Sequence, residues 1–461
     1  MTKTAKVDVL DLMEFSFNLL KYFEKVVLDA SKSNELFDDS FEVQIRVADE
    51  RFGDFQANGV LPYAKRKDMN PRELAQSIID TLPKSKLWVS SIAGPGFINF
   101  KLNPESLLIW MNGFGNLEDL KDLLETNLPQ RITLDFSGPN TAKQMHVGHI
   151  RSTIIGESLA RLLELQGHRV TRDNHLGDWG TQFGILLYAV KREDISLDEL
   201  VDDPVATLED LYRKGNAWTK ENEIALDEAR NELVKLQKGD EENYSLWQKI
   251  RDLSLQSFER IYDLLDVKFD YSHGESFYRD RVDKIYKSLR EHKICVEDQG
   301  ALVVFHPEHK RFSKQPFIIR KSDGASNYGT TDLATVDYRI KEWKSDHLIY
   351  VTDGRQRDHF EQLFLTVKKW FKAEKLITPT LSHVWFGTIL GEDNKAIKTR
   401  DGQPVKLLDL LNEAIERSKK IVLEKNPELD DDEVARRANV IGIGAVRYAD
   451  LSQDRTLDYV F

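Results

Sequence analysis

The chain has 461 residues, 41% hydrophobic and 31% charged, with a formal net charge of −12 at pH 7. That length suffices for two or three domains with sizeable cores, and the acidic balance excludes indiscriminate nucleic-acid binding while allowing a local basic face that attracts phosphates. The single cysteine, Cys295, excludes an intramolecular disulfide and any multi-cysteine zinc site. Asp8, Asp11 and Glu14 interrupt the N-terminus where a signal peptide needs an apolar run, and no stretch reaches the roughly 20 apolar residues that cross a bilayer. The expectation is a soluble cytoplasmic protein with no membrane partner.

In chain order, residues 1–115 read as a small α+β domain. An amphipathic helix comes first, then strands in FEVQIRVA and LWVSSIAGPGFINFKL, with a helix in PRELAQSIIDTL between them. Pro71 suits the first turn of that helix. Within residues 48–67, Phe52, Phe55 and Tyr63 accompany Lys65, Arg66 and Lys67; aromatics beside cations can stack on bases and pair with phosphates, or they are a core strand edge beside a solvated charge run. A polar linker at 116–130 follows.

Residues 131–155, RITLDFSGPNTAKQMHVGHIRSTII, read as a buried strand, a tight turn and the start of a long helix. Ile132, Leu134 and Phe136 alternate with polar neighbours, Gly138-Pro139-Asn140 breaks the strand, and Ile150, Ile154, Ile155 and Leu159 recur at helical spacing. A second strand and Gly-rich loop, HRVTRDNHLGDWG, and a helix in TQFGILLYAVK complete a βαβ pattern. Residues 190–315 read as a charged, mostly helical insertion with Trp218, Leu233, Leu236, Trp247 and Ile250 as core anchors, ending in strand-like GALVVFH and PFIIRKSDG. The sheet resumes with SDHLIYVTDGRQRDHFEQLFLTVKKWF and a further strand in HVWFGTIL, and 405–461 is mostly helical. The fold class is therefore α/β, a Rossmann-like doubly wound parallel sheet over 131–404 with an insertion, preceded by the small α+β domain.

His146 and His149 of HVGH fall at or near the N-terminus of the long helix. Unpartnered amides and the positive end of the helix dipole favour an anion there. Gly148 keeps a side chain off the backbone, and two imidazoles can donate to phosphate oxygens and stabilise charge on a phosphorus under attack. The same two histidines read equally well as part of a metal site or as helix-capping polar residues.

The run DFSGPNTAKQMHVGHIRSTIIGESLARLLELQGHRVTRDNHLGDWGTQFG (135–184) closely resembles arginyl-tRNA synthetases, which are class I aminoacyl-tRNA synthetases. So do KSDGASNYGTTDLATVDYR (321–339), YVTDGRQRDHFEQLF (350–364), HVWFGTILGEDNKAIKTRDG (383–402) and IGIGAVRYADLSQDRTLDYVF (441–461). The resemblance implies a ligase that joins L-arginine to tRNA-Arg through an arginyl-adenylate made from ATP, with magnesium on the pyrophosphate and no protein metal ligands assigned. It implies that His146, His149 and Gly148 meet the ATP phosphates. It places the N-terminal domain against the tRNA elbow and 405–461 as a connection toward an anticodon-binding domain that this sequence does not contain. A monomer is expected.

The resemblance departs from its class at the lid. Where class I enzymes carry KMSKS, this chain has Ala396-Ile397-Lys398-Thr399-Arg400; Lys398, Thr399 and Arg400 remain expected ATP contacts, but the second signature lysine is Thr399. Many arginyl-tRNA synthetases share this and use a lysine just before the histidine motif, where Lys143 stands; a cation can act on phosphates from either side. Lys143 is otherwise a solvated turn residue. Tyr328, Asp332 and Glu275 match positions that address the guanidinium, and Asp135, Asn140 and Gln356 those that hold the backbone end of the amino acid. Asp332 has a second reading as a helix N-cap. In this family arginine activation generally waits for tRNA, which implies a site completed by its partner. Two further readings are an amino-acid-activating paralogue with a non-tRNA acceptor, and a non-catalytic tRNA-binding module; the retained histidines, Lys143 and Asp332 argue against the second.

Overall fold

The computed structural model describes residues 18–112, 117–124, 126, 128–200, 203–322, 328–391 and 405–460. It divides near residue 127 into two compact units, with the short stretch Leu165–Gly167 packing in the first.

The first unit opens with α1 (Leu19–Lys32), started by Asn18, whose side chain accepts from the Lys21 N–H. Phe23, Val27 and Ala30 recur along its buried face. They cover an antiparallel sheet of β1 (Ile45–Val47), β2 (Phe55–Ala57), β3 (Trp88–Ala93) and β4 (Phe97–Leu102) in the order β1-β2-β4-β3, with the Phe23 and Phe100 rings 4.6 Å apart. Helices α2 (Val60–Lys67) and α3 (Pro71–Thr81) complete the unit; Pro71 stands in the first turn of α3 and Asn70 caps it. The structure divides the aromatic and basic segment at 48–67. Phe55 and Tyr63 lie in the core, and the Tyr63 hydroxyl accepts from the Asp38 N–H and donates to the Leu36 carbonyl. Phe52 is exposed together with Lys65, Arg66 and Lys67.

The second unit is built on a parallel sheet of β5 (Arg131–Asp135), β6 (Arg169–Asp173), β10 (His347–Tyr350) and β11 (Thr380–His383), in the spatial order β11-β10-β5-β6. Register places Asp173, Asp135, Tyr350 and His383 in one row across the carboxyl ends of the strands. The chain runs from β5 to β6 on one side and returns to β10 on the other. The topological switch point therefore lies between β5 and β10, which in open α/β sheets is where ligands bind. Ile132, Leu134, Ile150, Ile154 and Ile349 are buried together, each worth about 1.5–3 kcal/mol in apolar burial. They fix β5 and the long helix α4 (Ile150–Leu165) against each other.

Helices α5 (Thr181–Arg192), α6 (Pro204–Glu221), α7 (Glu223–Gln237) and α8 (Glu241–Leu264) form a helical layer around Phe183, Leu187, Leu208, Leu236, Trp247 and Ile250. After them come α9 (Val282–Glu291) and a small antiparallel sheet of β7 (Val296–Asp298), β8 (Ala301–Val304) and β9 (Phe317–Arg320). Strand β9 pairs with β8, which joins the strand-like segments GALVVFH and PFIIRKSDG in one sheet. Helix α10 (Tyr328–Lys341) leads to β10, and α11 (Arg357–Ala373) to β11.

The strand expected in HVWFGTIL is two pieces. The parallel strand covers Thr380–His383; Ile389–Leu390 then forms β12 and pairs with β13 (Tyr459–Val460). Between them the Gly387 N–H leaves the sheet and donates to the Arg455 carbonyl. Helices α12 (Leu407–Lys425) and α13 (Asp431–Leu451) precede β13. Among the described residues no helix is long and apolar enough to cross a membrane.

Candidate active site

The loop leaving β5 ends in a short 3-10 turn, Val147–His149, that runs into α4. His146 Nδ1 accepts from the Gly148 N–H at 3.0 Å, and His149 Nδ1 accepts from the His146 N–H at 3.1 Å. The capping reading is therefore correct, and it serves the phosphate reading rather than competing with it. His146, whose Nδ1 accepts a hydrogen bond, carries its proton on Nε2 when neutral; His149 Nδ1 lies between the His146 N–H and the His146 carbonyl, 3.2 Å from the latter, so its tautomer follows whichever of the two it engages. The two ring centroids are 4.1 Å apart.

Burial pushes the His149 pKa down to about 3, with His146 beside it adding to the effect. Burial, then the charges of Arg355 and Lys143, also lowers His146. Both are neutral donors at physiological pH. Gly148 has a tighter reason than room for a ligand: a Cβ there would lie 2.7 Å from Cε1 of His146.

Lys143 is exposed, and its ammonium stands over the Tyr212 ring of α6 at 5.6 Å from the centroid. Lys398, Thr399 and Arg400 lie outside the described residues. The chain returns from that stretch at the histidine turn itself: the Val147 N–H donates to the Val405 carbonyl at 3.0 Å and the Leu407 N–H to the Met145 carbonyl at 2.9 Å. Arg151, in the first turn of α4, is buried against Asp450 of α13 at 2.9 Å and donates to the Gly387 and Leu457 carbonyls. The histidine turn is thus tied to the C-terminal helices.

At the other end, Glu275 opens a four-residue helix, Glu275–Tyr278, whose start is organised by Asp178. The buried Asp178 carboxylate accepts from the Ser276 N–H at 2.9 Å and the Ser276 hydroxyl at 2.7 Å. Gly274 lies so close that a Cβ would fall 2.1 Å from the Asp178 Cγ. Burial, then the charges of Asp332 and Asp178, raises the Glu275 carboxyl to about 8. Burial and the same acids, Glu275 and Asp332, also raise the exposed Tyr328. Glu275, Tyr328 and Asp332 are therefore electrostatic neighbours drawn from two distant segments.

Asp332 lies a full turn inside α10, so it is not an N-cap. Its Oδ2 meets Nε2 of His359, in α11, at 2.5 Å. Burial alone would hold His359 low, but the Asp332 carboxylate raises it above the ordinary imidazole value. Asp135 Oδ2 accepts from Arg339 at 2.6 Å. Asn140 is exposed beside Gly177, and Gln356 is exposed at the start of α11. Among the described residues no group of three His, Cys, Asp or Glu side chains is arranged to hold a metal ion.

His359 and Arg339 were not among the expected site residues. His359 carried a signal as the third residue after Gln356 in an otherwise amphipathic helix. Arg339 is seven residues after Asp332, on the face that buries Val336, where a cation has no reason to stand without a partner.

A parallel sheet with its switch point at β5 and β10, paired histidines after its first strand and a helical insertion before its third define a class I aminoacyl-tRNA synthetase. Residues 117–461 match the family model described as tRNA synthetases class I (R), catalytic domain, and residues 18–102 match the arginyl tRNA synthetase N terminal domain. The chain belongs to the arginyl-tRNA synthetase family. It is 44% identical to the arginine–tRNA ligase of Laribacter hongkongensis, over 89% of this chain and 72% of that one. Against the Pseudomonas fluorescens arginine–tRNA ligase it is 44% identical, over 90% of this chain and 71% of the relative. In three dimensions it superposes on the Plasmodium falciparum arginyl-tRNA synthetase with a TM-score of 0.76 at 29% identity, covering 96% of this chain and 76% of that one.

Proposed function

We propose that this arginine–tRNA ligase makes its adenylate between the histidine turn and the Glu275, Tyr328 and Asp332 cluster, and then passes arginine to the 3′ end of tRNA-Arg. The observation that carries the reading is the pair of neutral imidazoles held by the backbone of their own turn and standing at the switch point of the sheet. Activation sends the arginine carboxylate onto the α-phosphorus of ATP as pyrophosphate leaves. Positioned donors that need no reorganisation stabilise the negative charge that builds on phosphorus.

In this reading His146 and His149 hold the phosphates, and Lys143 leaves Tyr212 to meet them from the β5 side. Lys398, Thr399 and Arg400 also contact ATP, and magnesium arrives on the ATP phosphates. Asp135, Asn140 and Gln356 hold the backbone end of arginine. Glu275, Tyr328 and Asp332 take the guanidinium, whose five donors match the acceptors of two carboxyls and a phenol. The first unit receives the tRNA elbow, and the protein works as a cytoplasmic monomer.

Purified chain is assayed for arginine-dependent ATP–pyrophosphate exchange with and without tRNA-Arg, followed by charging. Exchange and charging that depend on arginine and on tRNA support the reading. Exchange without charging assigns another acceptor, and tRNA binding without exchange assigns a binding module.

A further inference from the structure

Arg339 is fully buried, in the last turns of the helix that begins with Tyr328 and Asp332. Its Nη2 donates to Asp135 Oδ2 at 2.6 Å and to Asp173 Oδ2 at 2.7 Å, and its Nε reaches Asp173 Oδ2 at 3.1 Å. Asp135 and Asp173 are register partners at the ends of β5 and β6, so one guanidinium spans two carboxylates that would otherwise repel. Asp135 Oδ1 has no hydrogen-bond partner among the described residues, and the Asp135 side chain keeps 11% exposure. One oxygen is held and the other is open.

We propose that Arg339 is a positioning residue for the substrate's amino group: it holds Asp135 ionised and turned so that Oδ1 accepts from the α-ammonium of L-arginine. This rests on the reading that Asp135 meets the backbone end of the amino acid. Burial raises the Asp135 carboxyl above the ordinary carboxylate range; Arg339, followed by His175, opposes that push while Asp173 adds to it, so without Arg339 the carboxyl would stand higher still. Tyr278 and Tyr350 also face Arg339, and both hydroxyls, with Arg339 Nη1 and Asp173 Oδ1, are buried without a partner. A protonated Asp135 could not accept from the ammonium as an ion pair. Arg339 thereby couples the helix that reads the guanidinium to the carboxylate that reads the other end.

The test is the pH profile of exchange, with kcat and KM for arginine and for ATP, in the wild type, Arg339→Lys, Asp173→Asn and Asp135→Asn, each checked by circular dichroism and melting. Arg339→Lys is expected to raise the arginine KM about tenfold on the acid side, with the defect shrinking as pH rises and the ATP KM unchanged. Asp173→Asn, which removes the charge opposing ionisation, is expected to move the acid limb of kcat/KM for arginine to lower pH. A purely structural Arg339 would lower activity in both variants with no opposed shift of the limb, and that result overturns the proposal. Should Arg339→Lys not fold, the Asp173→Asn limb decides: a shift to lower pH supports the proposal, and an unmoved limb or an alkaline shift overturns it. Asp135→Asn separates the two levels. An unchanged arginine KM there removes the underlying reading, whereas a raised KM there with an unaffected Arg339→Lys enzyme removes only the role of Arg339.

Discussion

The two ends of the proposed site are built in opposite ways. At the phosphate end the imidazoles are neutral, local in sequence and held by their own backbone: His146 and His149 both brace the turn through Nδ1. At the guanidinium end the groups are acidic, come from distant segments and lack a strong cation; burial and like charge hold Glu275 up at about 8. The difference teaches that a site for a polyanion can be prepared as a finished turn. A site for a cation keeps a buried carboxyl protonated until its substrate arrives to drive the proton off.

The comparison breaks most severely at the support of the phosphate end. Arg151→Met should leave Asp450 buried and unpaired and destabilise the protein by about 3–5 kcal/mol, read as a lower melting temperature. Adding Asp450→Leu should recover much of it. Next, His149→Ala or Gly148→Ala should slow exchange by roughly 10²–10³-fold, the usual consequence of losing one preorganised donor, with melting little changed for the histidine variant. At the opposite end, Asp332→Asn should raise the arginine KM by a factor of roughly 10–100, since charge-assisted hydrogen bonds are worth about 1.5–3 kcal/mol, while the ATP KM stays put. The smallest effect is expected for Tyr212→Leu, which removes a cation–π partner of Lys143 worth about 0.5–1 kcal/mol; exchange should change only a few-fold, measured against Lys143→Ala, which should be severe.

The same asymmetry decides what was legible in the sequence. The strand, turn and helix around HVGH are contiguous, so periodicity and turn chemistry sufficed for the elements, and the capping reading is seen in the backbone of the turn. The buried link between Asp135 and Arg339 joins residues 204 apart, and nothing local announces such a partner. Asp332 showed its acidity but not its engagement by His359, because that contact depends on how α10 packs on α11. For Phe55 and Tyr63 the sequence left stacking and core-edge readings side by side, and the core of the first unit claims both residues; exposure is a tertiary property and composition does not carry it.

The proton held on Glu275 at the guanidinium end also fixes the sign of a pH effect. A carboxyl held near 8 in the folded enzyme, against an ordinary value of 4.5, contributes stability that is fully present below about 4.5 and is lost as pH rises through about 8. Melting of the ligand-free enzyme should therefore fall on going from neutral to mildly alkaline pH, and fall less in Glu275→Gln. Arginine affinity should move the other way, strengthening as Glu275 ionises.

The most direct test of the protonated-carboxyl account is calorimetry of L-arginine binding near neutral pH in two buffers of different ionisation heat, on the wild type and Glu275→Gln. The account predicts net proton release into the buffer with the wild type, as the guanidinium drives the proton off Glu275, and its loss in the variant. Binding heats that do not depend on the buffer, or a release that is equal in both proteins, would contradict it.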